Sequence, residues 1–220
     1  ILTLSSEEPF AFRLHRDNFP QFLKRQVRRK IKYETVTKIN FNDKVEITTN
    51  KNFYRCRLLV GCDGALSIVR RSSGIKDPKT YYGIMSLLKT PKIPVRVYLN
   101  KYFSPDFFAW SLTGEYGLMS SMRPLEYLEY FRQRLDFPKG NIIAYPMSIG
   151  MTKSYSDNVL LIGESCGQNK PLTGGGIIFS LVSANLAATT IKKAFKEEYF
   201  KADLLKSYEM AWKWNFGFEW

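Results

Sequence analysis

The sequence predicts a mixed α/β protein, α+β overall, and three stretches carry that prediction. Residues 158–188 read as a short apolar strand, a glycine-lined loop and a long apolar helix. Residues 58–71 repeat the opening of that pattern, with an apolar run, a tight turn and a helix start. Between the two, residues 77–150 run as strand-like segments punctuated by Pro78, Pro91, Pro94 and Pro105, which predicts an inserted antiparallel sheet.

Composition narrows the class of function. The 220 residues suffice for one large domain or two small ones, and 45% hydrophobic with 24% charged residues is the balance of a globular chain. No apolar run reaches spanning length and the opening residues lack signal-peptide order, so the expectation is an intracellular, cytoplasmic protein. A single histidine, His15, gives Ser-His-Asp hydrolysis or a multi-histidine metal site little to work with. Cys56, Cys62 and Cys166 are odd in number and lack metal-type spacing; Cys62 and Cys166 read as small buried residues. A formal charge of +13 invites an anionic partner. Its densest run, KRQVRRKIK at 24–32, reads first as a solvated helix face, second as a surface for peripheral contact with an anionic membrane, and only third as a nucleic-acid contact.

In chain order, ILTLS and Phe10 to Leu14 are strand-like, and no opening strand leads into G-x-G-x-x-G. A helix is expected from about Phe19 to Arg29, capped by Asp17 or Asn18, with Phe19, Phe22, Leu23 and Val27 on one face. Strands follow at Glu34 to Ile39, Val45 to Thr49 and Phe53 to Cys56, with a hairpin turn at 50–52. Leu58 to Val60 form a buried strand, Gly61 to Gly64 a turn, and Ser67 caps a helix carrying Arg70 and Arg71. The inserted sheet takes Tyr81 to Leu88, Arg96 to Leu99, Phe107 to Leu112 and Tyr116 to Met122, and a helix from Pro124 to Leu135 follows. Val159 to Ile162 suit a strand covered on both faces. Gly163 ends it, and Pro171, Gly174, Gly175 and Gly176 bring bare backbone close to whatever lies above the sheet. From Ile177 to Ala188 the residues are apolar nearly all round, which predicts a buried helix whose amino end favours an anionic or electron-rich ligand. The tail from Tyr199 to Trp220 is a further helix whose aromatics read as packing residues.

Two strings go beyond these patterns. GESCGQNKPLTGGGI, 163–177, resembles the second flavin fingerprint of the geranylgeranyl reductase family, within the broader p-hydroxybenzoate hydroxylase-like flavoproteins, with Glu164 where the broader group usually carries Asp. LLVGCDGALSIVRR, 58–71, resembles the same superfamily's Asp-Gly fingerprint. The resemblance implies an incomplete Rossmann-like FAD-binding domain (1–76 and 147–198), an inserted antiparallel-sheet substrate domain (77–146) that roofs the flavin, and a helical tail (199–220). It implies FAD as cofactor, with Asp63, Gly64, Gly163, Glu164, Pro171, Thr173, Gly174, Gly175, Gly176 and Ile177 around it. FAWSLTGEYGLMSS, 108–121, resembles the family's Y-x-W-x-F-P segment, so Phe108 and Trp110 would line an apolar tunnel for a prenyl or other apolar substrate. Ser111 and Leu112 depart from that pattern. Ile143 to Pro146 resemble the segment returning the chain to the flavin domain.

The activity implied is reduction of carbon–carbon double bonds of an isoprenoid by hydride transfer from reduced flavin, with Glu115, Tyr116 and Tyr145 as unranked proton-donor candidates. A flavin-dependent hydroxylase and a non-catalytic subunit with the same fold are the alternatives. In the family the fingerprint for the ADP half of FAD lies upstream, so a missing segment or an amino-terminal partner chain would supply it.

Overall fold

The computed structural model describes residues 14, 18–42, 44–89 and 93–217. The strand-like openings through residue 13, His15, Asp17 and Pro91 lie outside them. Ile1–Thr35 and Val36–Trp220 are two compact units. In the first, helix α1 spans Asn18–Gln26, three residues shorter at its carboxy end than expected, and buries none of its residues.

The second unit begins with an antiparallel meander of β1 (Val36–Phe41), β2 (Val45–Thr49) and β3 (Phe53–Cys56). The Thr49 hydroxyl accepts from the Lys51 and Asn52 N–H groups and closes the β2–β3 turn. The chain then enters β4 (Leu59–Gly61) and the short helix α2 (Ile68–Ser72). A five-stranded antiparallel sheet follows, built from β5 (Lys79–Leu87), β6 (Arg96–Tyr98), β7 (Ala109–Leu112), β8 (Glu115–Ser120) and β9 (Asn141–Ile149) in the order β6-β7-β8-β5-β9. Helix α3 (Pro124–Arg134) links β8 to β9. Its first turn has Pro124, whose missing N–H would find no partner there in any case.

Strand β9 is the main extension beyond the sequence reading. It pairs with β5 over nine positions, Lys79↔Ile149 to Leu87↔Asn141, where only Ile143 to Pro146 stood out in the sequence. Pro146 survives inside it because β9 is an edge strand.

The chain closes with β10 (Tyr155–Ser156), β11 (Val159–Leu161), a 3-10 turn at Gly163–Cys166, and the helices α4 (Ile177–Glu197) and α5 (Ala202–Phe216). β11 runs parallel to β4 with Val159↔Leu59 and Leu161↔Gly61 in register, and antiparallel to β10. Its three residues are fully buried: Val159 and Leu161 face the cluster with Ile39, Val45 and Val69, and Leu160 faces the cluster with Ala187, Leu205 and Tyr208. A continuous apolar run is therefore required, as expected for a strand with two covered faces.

Helix α4 corrects one expectation. It is buried only along the stripe Phe179, Ser183, Ala187, Thr190 and Ala194, while Ile178 and Leu181 are exposed. Helix α5, through Leu205, Tyr208 and Trp212, packs along that stripe together with Leu160 of β11 and the 3-10 turn at Gly163–Cys166. Cys62 is a second correction: it is exposed, because it follows β4 in an outward turn, whereas Cys166 is buried and donates to the Leu161 carbonyl. Burial pushes the Cys166 thiol well above the usual range, consistent with a packing role.

Candidate functional site

Two parallel neighbours that end together deliver their following turns to the same place. The Ile162 N–H and the Ser165 hydroxyl both donate to the Gly61 carbonyl, at 2.9 and 2.8 Å, sewing the second turn to the end of β4. A Cβ placed on Gly64 would lie 3.8 Å from Glu164 Oε2, so the Asp63–Gly64 turn and the Glu164 side chain face each other across a narrow gap.

The two turns use their acids differently. Asp63 accepts from the Ser67 hydroxyl at 2.6 Å and from the Val69 N–H at 3.1 Å, so its carboxylate organises the start of α2. Ser67 in turn accepts from the Arg70 N–H, as the capping pattern predicts. Glu164 is half-buried and accepts from Asn169 Nδ2 at 3.3 Å, which turns one carboxylate edge inward and keeps the group beside Gly64.

Arg70 ties the two turns together, and sequence reasoning placed it only on a helix. It is 1% exposed; its guanidinium donates to the Ser165 carbonyl at 2.6 Å, the Ala65 carbonyl at 2.8 Å and Asp77 at 2.8 Å. One planar fork thus fixes the spacing of both loops. A five-residue helix is too short for periodicity to reveal which face turns inward, so no sequence signal marks this residue.

The glycine loop is equally determined. The Lys170 N–H donates to the Gly175 carbonyl and the Gly174 N–H to the Lys170 carbonyl, closing 170–175 on itself. Thr173 and Gly175 are exposed on its outer side; Pro171 and Gly174 are half-exposed. Gly163 has φ +70° and its N–H donates to Gln168 Oε1 at 2.7 Å; a Cβ there would fall 2.7 Å from Ser180 Oγ. A Cβ on Gly176 would fall 1.9 Å from Asn169 Oδ1. Both positions are glycine because backbone packs directly on a side chain. No side chain caps α4 at Gly176, and the amino end of this 21-residue helix starts at Ile177, next to the exposed loop. Gln168 also bonds Tyr208 Oη on α5, at 3.0 Å, which anchors the loop to the tail helix.

Phe107 is the aromatic that reaches this loop, with Phe108 and Trp110 packed in turn behind it. Phe107 stacks on Phe108 with centroids 4.5 Å apart, and Phe108 meets Trp110 edge-on at 6.1 Å. A Cβ on Gly174 would lie 3.0 Å from Met147 Sδ and 3.6 Å from Phe107 Cζ, so the loop abuts the five-stranded sheet. Among the three donor candidates, Tyr116 is removed by geometry: it is buried on the α3 side and donates to the Pro138 carbonyl. Tyr145 stands on the opposite face, over Gly83.

These features suit the ring side of a flavin. They comprise paired parallel strands, a carboxylate opposite a glycine turn, and an uncapped helix start behind exposed glycine backbone. A flavin fits such a cradle, since its ribityl hydroxyls suit a carboxylate and its pyrimidine edge suits a helix amino end.

No protein-family model matches the chain. It is 25% identical over 196 residues to digeranylgeranylglycerophospholipid reductase of Methanocaldococcus jannaschii, covering 77% of this chain and 49% of that protein. A geranylgeranyl bacteriochlorophyll reductase-like protein of Thermoplasma acidophilum superposes with a TM-score of 0.72 at 18% identity, over 83% of this chain and 54% of that one. The flavin-dependent halogenase CmlS superposes with a TM-score of 0.62 at 16% identity, over 82% and 39%. The fold is that shared by FAD-binding reductases and flavin-dependent halogenases. The chain is thus similar to proteins named as geranylgeranyl-type reductases, and it spans about half the length of the curated relatives it matches.

Proposed function

We propose that the protein is an FAD-dependent oxidoreductase that reduces carbon–carbon double bonds of a prenyl lipid. The observation that carries the reading is the meeting of Gly64 and Glu164 at the ends of β4 and β11, with the glycine loop reaching from there to an apolar sheet face. The relatives named for reduction of digeranylgeranylglycerophospholipids support the substrate class.

Glu164 would hold a ribityl hydroxyl, Gly174, Gly175 and Gly176 would admit the ring system against bare backbone, and the start of α4 at Ile177 would face its pyrimidine edge. Asp63 would act through the α2 cap, and Pro171 and Thr173 would shape the loop. When bound, reduced flavin supplies a hydride to one alkene carbon while a proton reaches the other. Phe108, Trp110 and Tyr145 would orient the alkene and exclude water, which is where a protein contributes most to this chemistry. The proposal includes a further segment or partner chain for the ADP half of the cofactor, because these 220 residues contain no G-x-G-x-x-G.

The test has two stages. Titration with FAD, in the presence of the segment or partner that holds its ADP half, is expected to quench flavin fluorescence, and Glu164→Ala to weaken that binding. Anaerobic incubation of the dithionite-reduced protein with a geranylgeranyl phospholipid is then expected to add two hydrogens per double bond by mass spectrometry. An oxygenated product formed only in air would make the protein a hydroxylase; no FAD uptake would make it a non-catalytic subunit.

A further inference from the structure

The face of the five-stranded sheet away from α3 has an unusual construction. β7 and β9 flank the two inner strands β8 and β5, and each contributes an aromatic side chain directly opposite a glycine: Trp110↔Gly117 and Tyr145↔Gly83. Side chains ordinarily stand up from a sheet. Here both rings lie down. A Cβ on Gly83 would be 2.8 Å from Tyr145 Cζ, 2.9 Å from Cε2 and 3.0 Å from the hydroxyl oxygen. A Cβ on Gly117 would be 2.6 Å from Trp110 Cζ2 and 2.9 Å from Met85 Cβ. The rings therefore occupy the space that side chains at 83 and 117 would fill.

Two consequences follow from this packing. The middle of the face is recessed, and its floor consists of ring faces with Met85 and the buried Met119, directly opposite Gly83, between them. Continuing along β9, Ile143 and Met147 share the face with Tyr145, and Met147 touches the glycine loop at Gly174. An apolar lane about 13 Å long, four residue steps of β strand, thus runs from the proposed flavin site along Met147, Tyr145 and Ile143. None of the positions that line it, Met147, Tyr145, Gly83, Trp110, Gly117, Met85 and Ile143, carries a charge.

We propose that Gly83 and Gly117 are specificity-determining residues, setting the depth of this lane by letting Tyr145 and Trp110 lie flat, so that a methyl-branched isoprenoid chain fits over the rings. The inference rests on the prenyl-lipid reading above and adds the element that selects chain width. A linear alkenyl chain needs less height, and it gains little from the recess. Raising a ring by one methyl group removes the room that the branches require, an effect of about tenfold for a methylene-sized change in an apolar pocket.

The experiment measures binding without flavin, through quenching of tryptophan fluorescence, with geranylgeraniol and the linear oleyl alcohol as probes. Gly83→Ala is the cleaner variant, since the three atoms nearest its new Cβ all belong to the Tyr145 side chain; Gly117→Ala also approaches the Ile84 carbonyl at 2.7 Å. Gly83→Ala is expected to weaken geranylgeraniol about tenfold and oleyl alcohol less than about twofold. In a Tyr145→Leu background the same glycine change is expected to have no further effect, because the displaced ring is gone. Tyr145→Leu alone, the variant to rely on should Gly83→Ala misfold, is expected to shrink the preference for the branched chain. Equal loss of both probes, no loss of either, or an undiminished glycine effect without the ring would overturn the inference. Branched-chain selectivity that responds to Gly83 without flavin-dependent reduction would sink only the proposed reaction, and reduction with unaltered selectivity would sink only the role of the glycines.

Discussion

The two faces of the five-stranded sheet are made from the same strands and do opposite things. Toward α3, Ile84, Ala109, Tyr116 and Leu118 interlock with Phe103, Leu128, Phe131 and Phe137, and Phe131 meets Phe103 and Tyr98 with centroids 4.9 and 5.0 Å apart. Away from α3, the alternate residues include Gly83, Met85, Gly117, the buried Met119, Trp110 and Tyr145, with the last two half-exposed. One face is filled with edge-on aromatic contacts, while the other is kept low and flat. Because successive side chains alternate, a strand can serve stability with one set of residues and leave the other set free for a ligand.

The largest expected effect breaks the filled face. Phe131→Ala, at a fully buried position, is expected to cost about 3–5 kcal/mol in urea unfolding, by lost burial and the cavity left behind. Trp110→Ala on the open face is expected to cost less than half as much, and a reversal of that order would undo the comparison.

Next comes the staple between the turns. Arg70→Met takes the guanidinium donor from the Ser165 carbonyl and leaves the Ala65 carbonyl with only the Ser148 hydroxyl at 3.4 Å, with an expected loss of about 3 kcal/mol. Arg70→Lys keeps the charge but cannot reach all three acceptors as a planar fork, so only partial rescue of the thermal midpoint is expected.

A smaller effect depends on pH. Burial works against ionisation of Glu209, but the Lys213 ammonium and the Ser154 N–H and hydroxyl outweigh it and hold the carboxyl below the usual carboxylate range. A lowered folded-state pKa adds stability above the unfolded value, near 4.3, and that stability disappears as pH falls through the folded value. Glu209→Gln is expected to cost about 2 kcal/mol at neutral pH and to flatten the acid limb of the stability profile, measured by unfolding at a series of pH values.

The smallest effects separate the two turns. Asp63→Ala removes a helix cap, with about 1 kcal/mol expected in thermal unfolding. Glu164→Ala is expected to stay within about 0.5 kcal/mol and to act instead on FAD binding. Equal effects on stability would erase the distinction between them.

Much of this molecule was legible before folding was considered. β2 and β3 fall where alternation placed them, Ser67 caps its helix, and the buried run Val159 to Leu161 is a two-sided strand. Helix α4 ran nine residues past Ala188, because its second half turns charged on the outer side and loses its apolar signal there. The inward face of Arg70, the length of β9 and the flat rings over Gly83 and Gly117 had no local signature.

The chain by itself determined which segments would be strand, turn and helix, since alternation, glycine and proline act within a few residues. It also carried the two fingerprint strings that resemble those of the geranylgeranyl reductases. Pairing decided everything that needs two distant segments: that Gly64 faces Glu164 from a hundred positions away, that one arginine holds both turns, and that a glycine on β5 makes room for a ring from β9. Those outcomes depend on register between strands far apart in sequence, and register is set only when the whole sheet closes on its core.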